Sequence, residues 1–300
     1  MNTSIAGNIR KALLSLGLFL AGMSFVFAQD TVVSEEVVKS PERAPFESGI
    51  FMDEQTAIVP PAKTLEFVLQ HRFGSIQNGW TDLAGIWGAS NIRFGLNFSI
   101  TKNLLVGFGT TKNSRLQDFQ AKYVVARQFK NGFPFTIALY GNMAINATNK
   151  SNFGAGFKGV HRLSYLGEVM IARRLTKEIS LQIGVAWLHY NIVDSSIMNG
   201  SHVNGMINDN LNISGIGRIK ISPQTSICLS YSQPVLTYLN KAPWPNFGLG
   251  VEVSTSTHTF HVFLASAQGI VPQEVYMYNN NNPYNGAILI GFNMTRLWSF

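Results

Sequence analysis

Apolar and polar residues alternate with period two along much of this chain. Ile92, Phe94, Leu96, Phe98 and Ile100 fall on one side of a segment whose other side carries Arg93, Gly95, Asn97 and Ser99. Leu181, Ile183, Val185, Trp187 and His189 oppose Gln182, Gly184, Ala186 and Tyr190, and Phe247, Leu249, Val251 and Val253 oppose Gly248, Gly250, Glu252 and Ser254. Such alternation predicts β-strands with two unlike faces. Twelve segments carry it, at approximately 64–74, 91–100, 104–112, 116–129, 134–147, 157–174, 179–191, 210–221, 225–233, 246–255, 257–265 and 286–300. Segments of about ten residues are what tilted strands need to cross a membrane.

The connections between these segments sort by length. Short ones fall at Thr101–Asn103, Lys130–Phe133, Thr176–Glu178, Ser222–Gln224 and Ser256. Long ones fall at 75–90, 148–156, 192–209, 234–245 and 266–285, and only Asn113–Arg115 breaks the order by being short. Outer-membrane barrels have short periplasmic turns and longer outer loops. The pattern therefore predicts an all-β fold, an antiparallel transmembrane β-barrel of about twelve strands over residues 63–300. The long loops are polar and rich in asparagine, and they read as surface loops. No helix signal is present beyond the leader. The last segment ends Phe292, Met294, Arg296, Trp298, Phe300 on its apolar side. A terminal apolar strand closed by Phe resembles the signal read by the barrel-assembly machinery, so Phe292, Trp298 and Phe300 are the expected insertion signal. The twelfth strand is expected to pair with the first near Leu65–Phe73.

Residues 1–28 read as a secretory signal peptide. Arg10 and Lys11 precede an apolar run from Ala12 to Phe27, and small residues at Val26 and Ala28 precede the expected cleavage point. Residues 29–62 lack sustained periodicity and contain Pro41, Pro45, Pro60 and Pro61. They read as a short irregular periplasmic segment. Charged residues make up 13% of the chain, against about a quarter in soluble domains, which suits a barrel with an apolar outside and a polar inside. The net charge of +7 is unevenly placed. Residues 30–54 hold seven acids against Lys39 and Arg43, whereas 19 bases and nine acids follow from Pro60 onward. The bases form no run, and an exported chain has little occasion to meet nucleic acid, which removes that partner class. The single cysteine, Cys228, excludes an intramolecular disulfide and a thiolate cluster.

If the more apolar side of each strand faces lipid, the other side gathers charge. Arg72, Arg93, Lys122, Arg162, Arg174, Arg218 and Lys220 fall there, with Glu66, Glu168 and Glu252. Two readings follow: a structural network that fills a narrow barrel, or an electropositive lumen that favours anions. The acidic N-terminal segment has the complementary charge, and part of residues 29–62 is expected to fold into the barrel mouth as a plug. Arg127, Arg173 and Arg296 break the alternation near strand ends, where long basic side chains reach the headgroups. Phe129 and Phe133, with Trp298 and Phe300, suit an interfacial girdle.

A lipid hydrolase would need Ser with a His base in reach. No histidine here stands in a His-x-Ser pair, and His161 and Ser164, three apart, fall on opposite faces of a strand. No zinc-ligand spacing is present. The glycines of Gly154–Gly159 and Gly215–Gly217 precede no helix and are not phosphate loops. The chain is expected to be no enzyme and to need no metal or cofactor.

Pro45-Phe46-Glu47-Ser48-Gly49-Ile50, then Pro60 to Phe67, Gln70-His71-Arg72-Phe73-Gly74, Ser90 to Leu96 and Val106-Gly107-Phe108-Gly109 together resemble a family of uncharacterised β-barrel proteins from Gram-negative bacteria. The resemblance runs from about residue 45 to the C-terminus. It implies a barrel in the outer membrane and brings no substrate, cofactor or active site. Among the matching positions His71 and Arg72 are the first to test, with His71 on the apolar side. The leading expectation is a passive channel or transporter for small polar or anionic solutes, with outer-membrane lipid as its surroundings. The alternatives are a structural or partner-binding barrel with a filled lumen and Asn-rich outer loops, and a lipid hydrolase.

Overall fold

The computed structural model describes residues 40–154, 156–193, 195–198, 201–204, 206–236 and 242–300. The leader read at 1–28, and residues 29–39 after it, lie outside the described residues.

Sixteen strands follow in chain order among the described residues: β1 (Ile50–Phe51), β2 (Glu54–Gln55), β3 (Thr64–Ser75), β4 (Asn91–Ser99), β5 (Leu104–Thr111), β6 (Leu116–Ala126), β7 (Thr136–Asn146), β8 (Leu163–Arg174), β9 (Ile179–Tyr190), β10 (Ser195–Met198), β11 (Ser201–Asn204), β12 (Asp209–Lys220), β13 (Thr225–Pro234), β14 (Asn246–Ser254), β15 (His258–Ala265) and β16 (Leu289–Ser299). Twelve of them, β3–β9 and β12–β16, form one closed antiparallel barrel in sequence order. β16 closes it against β3, with Trp298 opposite Leu65 and Phe292 opposite His71. Closure leaves no unpaired edge inside a membrane, where an unsatisfied backbone group costs several kcal/mol.

The alternation seen in the sequence becomes inside and outside. Phe94, Leu96 and Phe98 are 46%, 51% and 40% exposed, and Val185, Trp187, Leu229, Leu249 and Val262 share that outward face. Arg93, Asn97 and Ser99, one residue out of phase, are buried in the interior. An apolar belt of this extent needs a lipid solvent. No helix among the described residues is long and apolar enough to cross a membrane.

The ends of the barrel strands fall within three residues of the alternating segments, with one exception. The segment expected from 157 starts as β8 only at Leu163, and Gly159–Arg162 form a 3-10 turn. Phe153 and Phe157 there stack against the Arg162 guanidinium, 5.1 and 5.0 Å from their ring centres. That packing ends the pleat before the strand begins.

The interior is occupied from both ends. At the end with the short turns, Pro41 bridges Phe129, the Glu42 amide bonds to the Gln128 carbonyl and the Lys130 amide to that of Ser40. The chain then enters the barrel. Residues 45–59, expected to be irregular, include the hairpin β1–β2, which pairs Ile50 with Gln55 and Phe51 with Glu54. Met52 turns it with a positive φ of 54°. Phe46, Phe51, Met52, Ala57, Ile58 and Val59 are all buried. At the loop end, residues 266–279 fold inward instead of lying on the surface, and 280–285 return to it. The inward part carries a short helix, α1 (Pro272–Met277), that the sequence reading lacked. A second hairpin, β10–β11, sits within the 192–209 connection.

Candidate functional site: the occupied lumen

One arc of the inner wall, β3 to β7, is a continuous hydrogen-bonded network. Arg93 grips Asp118 with two bonds, Nε to Oδ1 at 2.8 Å and Nη2 to Oδ2 at 2.6 Å, and its Nη1 donates to Gln70. Asn97 donates to Glu66, Gln120 to Asn97, and the Tyr140 hydroxyl to Gln120. Asn142 donates to Asp118 and to the Tyr140 oxygen, which joins both chains of bonds. The neighbouring strand β5 makes room. A Cβ at Gly109 would collide with the Arg93 guanidinium, and one at Gly107 with the Asn97 amide. The alternating glycines of Gly107-Phe108-Gly109 are therefore small where the network passes and apolar where lipid lies.

The hairpin is held against this wall at its tip and on its flanks. Arg72 donates from Nε and Nη2 to Asp53 Oδ1 at 2.9 and 2.6 Å, from Nη2 to the Met52 carbonyl, and from Nη1 to Asn293. Asn246 donates to the other Asp53 oxygen, and Asn293 to the Met52 carbonyl. Arg72 also lies over the Phe263 ring at 4.6 Å. Both members of the Arg72–Asp53 pair are fully buried. A charge pair taken out of water this completely persists only with good geometry and satisfied lone pairs, and this one has both. Lys122 donates to the Gly49 carbonyl at 2.7 Å. A single amide, Gln182, accepts from the Ala57 amide and donates to the Gln55 carbonyl, as a neighbouring strand would. Near the turn end, Arg218 and Lys220 approach Glu47 at 3.1 and 3.5 Å. Burial pushes the Glu47 carboxyl up, but Arg218, Arg43 and Lys220 outweigh it and hold it below its usual value.

From the loop end, α1 meets the hairpin. The Tyr276 hydroxyl donates to Glu54, Asn210 donates to the Tyr276 carbonyl, and Gln273 reaches Asn142. Burial raises Glu54 to about 7 and pushes the Tyr276 hydroxyl well above its ordinary range.

The charged positions read from the sequence are thus in different surroundings. Glu66, Arg72, Arg93, Lys122, Glu168, Arg218 and Glu252 are buried inside the barrel. Arg174 sits at the turn-end rim with Glu42, 3.5 Å away, and Lys220 lies at the same end. Arg162 is a correction: it precedes β8 and stands at the loop-end mouth, bonded to the Asn146 and Thr148 carbonyls. Phe292 and Trp298 lie on the outward side of β16, Arg296 stacking over Trp298, and Phe300 bonds through its amide to the Lys63 carbonyl. Four groups escaped the sequence reading. Asp118 shares the parity of Lys122 and was findable on that ground. His261 stands 3.2 Å from Glu252. Asp53 and Tyr276 gave no periodic signal. Ser164 is buried and has no bond to His161, whose Nδ1 accepts from the Lys158 amide. Among the described residues no group of three His, Cys, Asp or Glu side chains is placed to hold a metal.

A family model described as "Membrane bound beta barrel domain (DUF5777)" matches residues 46–298. No curated protein matches the chain. Among solved structures, a NanC porin is 10% identical over 79% of this chain and 99% of that chain, with a TM-score of 0.48. A KdgM porin is 8% identical with the same coverage and a TM-score of 0.45. The Pseudomonas putida toluene transporter TodX is 9% identical over 81% of this chain and 91% of its own, with a TM-score of 0.36. These likenesses are too distant to bear on function.

Proposed function

Because this chain belongs to the membrane-bound β-barrel domain family (DUF5777), we propose that it is an outer-membrane channel for small polar or anionic solutes, closed by the 45–59 hairpin. In this reading the leader is cleaved on export, the barrel-assembly machinery inserts the barrel through the strand ending in Phe300, and the short turns face the periplasm. The chain does no chemistry on what it passes.

One observation carries the proposal. The bonds that link the Arg93–Asp118 pair to Gln70, Asn142, Tyr140, Gln120, Asn97 and Glu66 all run between wall residues, and only Glu66, at the end of the chain, also meets the hairpin, at the Gly49 backbone. A wall that keeps this network when the filler leaves, losing only the bonds of residues such as Arg72, Lys122 and Gln182 to the hairpin, is a wall suited to standing open. Removing the hairpin takes away Glu47, Asp53 and Glu54 and bares Arg72, Lys122, Arg218 and Lys220. The space vacated below α1, which stays at the loop end, is about 10 Å across, two strand widths, and its exposed bases favour anions. The rival reading, a permanently filled barrel, draws on the burial of Phe46, Phe51 and Met52.

Planar-bilayer conductance separates the two. The whole protein is expected to conduct little, in brief openings. A form starting near Pro60 is expected to conduct steadily with anion preference. Equal, absent conductance in both would overturn the proposal in favour of the filled barrel.

A further inference from the structure

A cavity of about 670 Å³ opens at the loop end, above α1. Glu274 and Tyr278 are four residues apart and line it, whereas Tyr276 between them bonds to Glu54 of the hairpin. The Tyr278 amide, just past α1, bonds to the Glu274 carbonyl, which sets the two side by side, so the end of α1 gives one side to the cavity and the other to the hairpin. Tyr278 packs edge-on against Tyr190, ring centres 5.1 Å apart, and both belong to the lining.

Arg162 is the cation of this cavity. Its Nη1 is fixed by the Asn146 and Thr148 carbonyls, both at 2.6 Å, and its plane is held by Phe153 and Phe157. Among the described residues no carboxylate pairs with it, and its Nε and Nη2 have no partner. A guanidinium already immobilised, with an unspent edge, binds a carboxylate without the entropic cost of ordering a long side chain. The same cavity is lined by Asn113, Asn152 and Asn280, whose side-chain amides make no hydrogen bond within the described residues. Amides both donate and accept, which matches hydroxyl groups. The Glu274 Oε2 is buried without a hydrogen-bond partner among the described residues. Burial raises this carboxyl to about 7, so near neutrality a large share is the neutral acid, able to donate to a hydroxyl rather than repel an anion. Tyrosine faces and edges suit the C–H surface of a ring. The volume lies within the range for small-ligand pockets.

We infer that this cavity binds a small polyhydroxylated solute bearing a carboxylate, an acidic sugar, with Arg162 taking the carboxylate and the asparagine amides taking the hydroxyls. The inference rests on the channel reading, for it names the class of solute collected at the mouth of that lumen.

The test is calorimetric titration of the full-length protein in detergent with D-glucuronate, D-glucose and acetate. Glucuronate is expected to bind saturably, and glucose and acetate at least about tenfold more weakly, since each lacks one set of contacts. Arg162→Gln should weaken glucuronate by about tenfold or more. That arginine also holds its loop, so Asn280→Asp serves as a second variant. It adds a negative charge at an exposed lining position and should weaken glucuronate several-fold, and by more than it weakens glucose. Absence of saturable glucuronate binding, glucose bound as tightly as glucuronate, or full affinity in both variants would overturn the inference. Conductance on the same preparations keeps the two readings apart. Binding in a barrel that never conducts removes the channel alone, and conductance without binding removes the cavity site alone.

Discussion

Along β3–β7 the inner wall is made of Arg72, Arg93, Asp118, Gln120, Lys122 and Tyr140, whereas the middle of β12–β14 presents Asn212, Ser214, Cys228, Ser230 and Gly248, with the long chains Arg218 and Glu252 confined to the turn end. In the first arc Arg93, Asp118, Gln120 and Tyr140 join one network, while Arg72 and Lys122 reach out to the hairpin. The second is short, and several of its polar atoms, both amide atoms of Asn212 and the Ser230 hydroxyl among them, have no protein partner among the described residues. Shortness makes a seat. Met52 rests beside Gly248, where an added Cβ would stand 3.3 Å from the methionine methyl group. The hairpin is thus clamped from the long-chain arc by Arg72 and bedded on the short-chain arc. The lesson is that polarity alone does not describe a lumen wall. The same hydrophilic surface can be a self-sufficient frame on one side and a bed for an inserted segment on the other.

The sharpest way to break this contrast is at the frame. Asp118→Ala leaves Arg93 buried without a counter-charge, and loss of one partner of such a pair costs about 3–5 kcal/mol. Denaturant titration of the folded barrel should show that loss, and a change below about 1 kcal/mol would mean that the frame is no frame. A smaller effect is expected where the hairpin meets α1. Glu54 faces Asp53, Glu168 and Tyr276, and burial raises it from 4.5 to about 7 while the hairpin is seated. Below pH 4.5 the carboxyl holds its proton seated or free; between 4.5 and 7 only the seated form keeps it; above 7 neither does. Seating is therefore favoured at low pH and weakens as pH rises through that window. Open probability should rise by at least about tenfold between acidic and mildly alkaline buffer, and Glu54→Gln should flatten the profile. A wild-type profile without slope would remove Glu54 from the closure. The smallest effect belongs to the bed. Ser230→Ala deletes a hydroxyl that bonds to no described residue and should change stability by no more than about 0.5 kcal/mol; a larger loss would show that the short-chain arc also carries structure.

What the sequence made legible follows from two-sidedness. A strand with lipid on one face and lumen on the other must alternate, so β3–β9 and β12–β16 could be read residue by residue, and Arg93 or Glu252 could be placed inward by parity. Residues 46–59 lie inside the barrel and are buried on all sides, so nothing forces alternation on Phe51, Met52 or Ile58. α1 has six residues, too few for a helical period, and Pro272 at its first turn was the one local cue. Arg162 misled for a related reason. Its parity matched β8, but the pleat begins one residue later, and parity means nothing outside the pleat.

The hairpin's return arm reaches β3 through Pro60, Pro61, Ala62 and Lys63, and the Lys63 amide is already bonded to Ser99 on the barrel rim. Four residues span at most about 14 Å, so a hairpin that leaves its seat hangs at the rim instead of diffusing away. Its local concentration stays in the millimolar range or above, as for any short linkage. Reseating is then a first-order event whose rate does not depend on how much protein is present, and no second molecule is needed to close the barrel again.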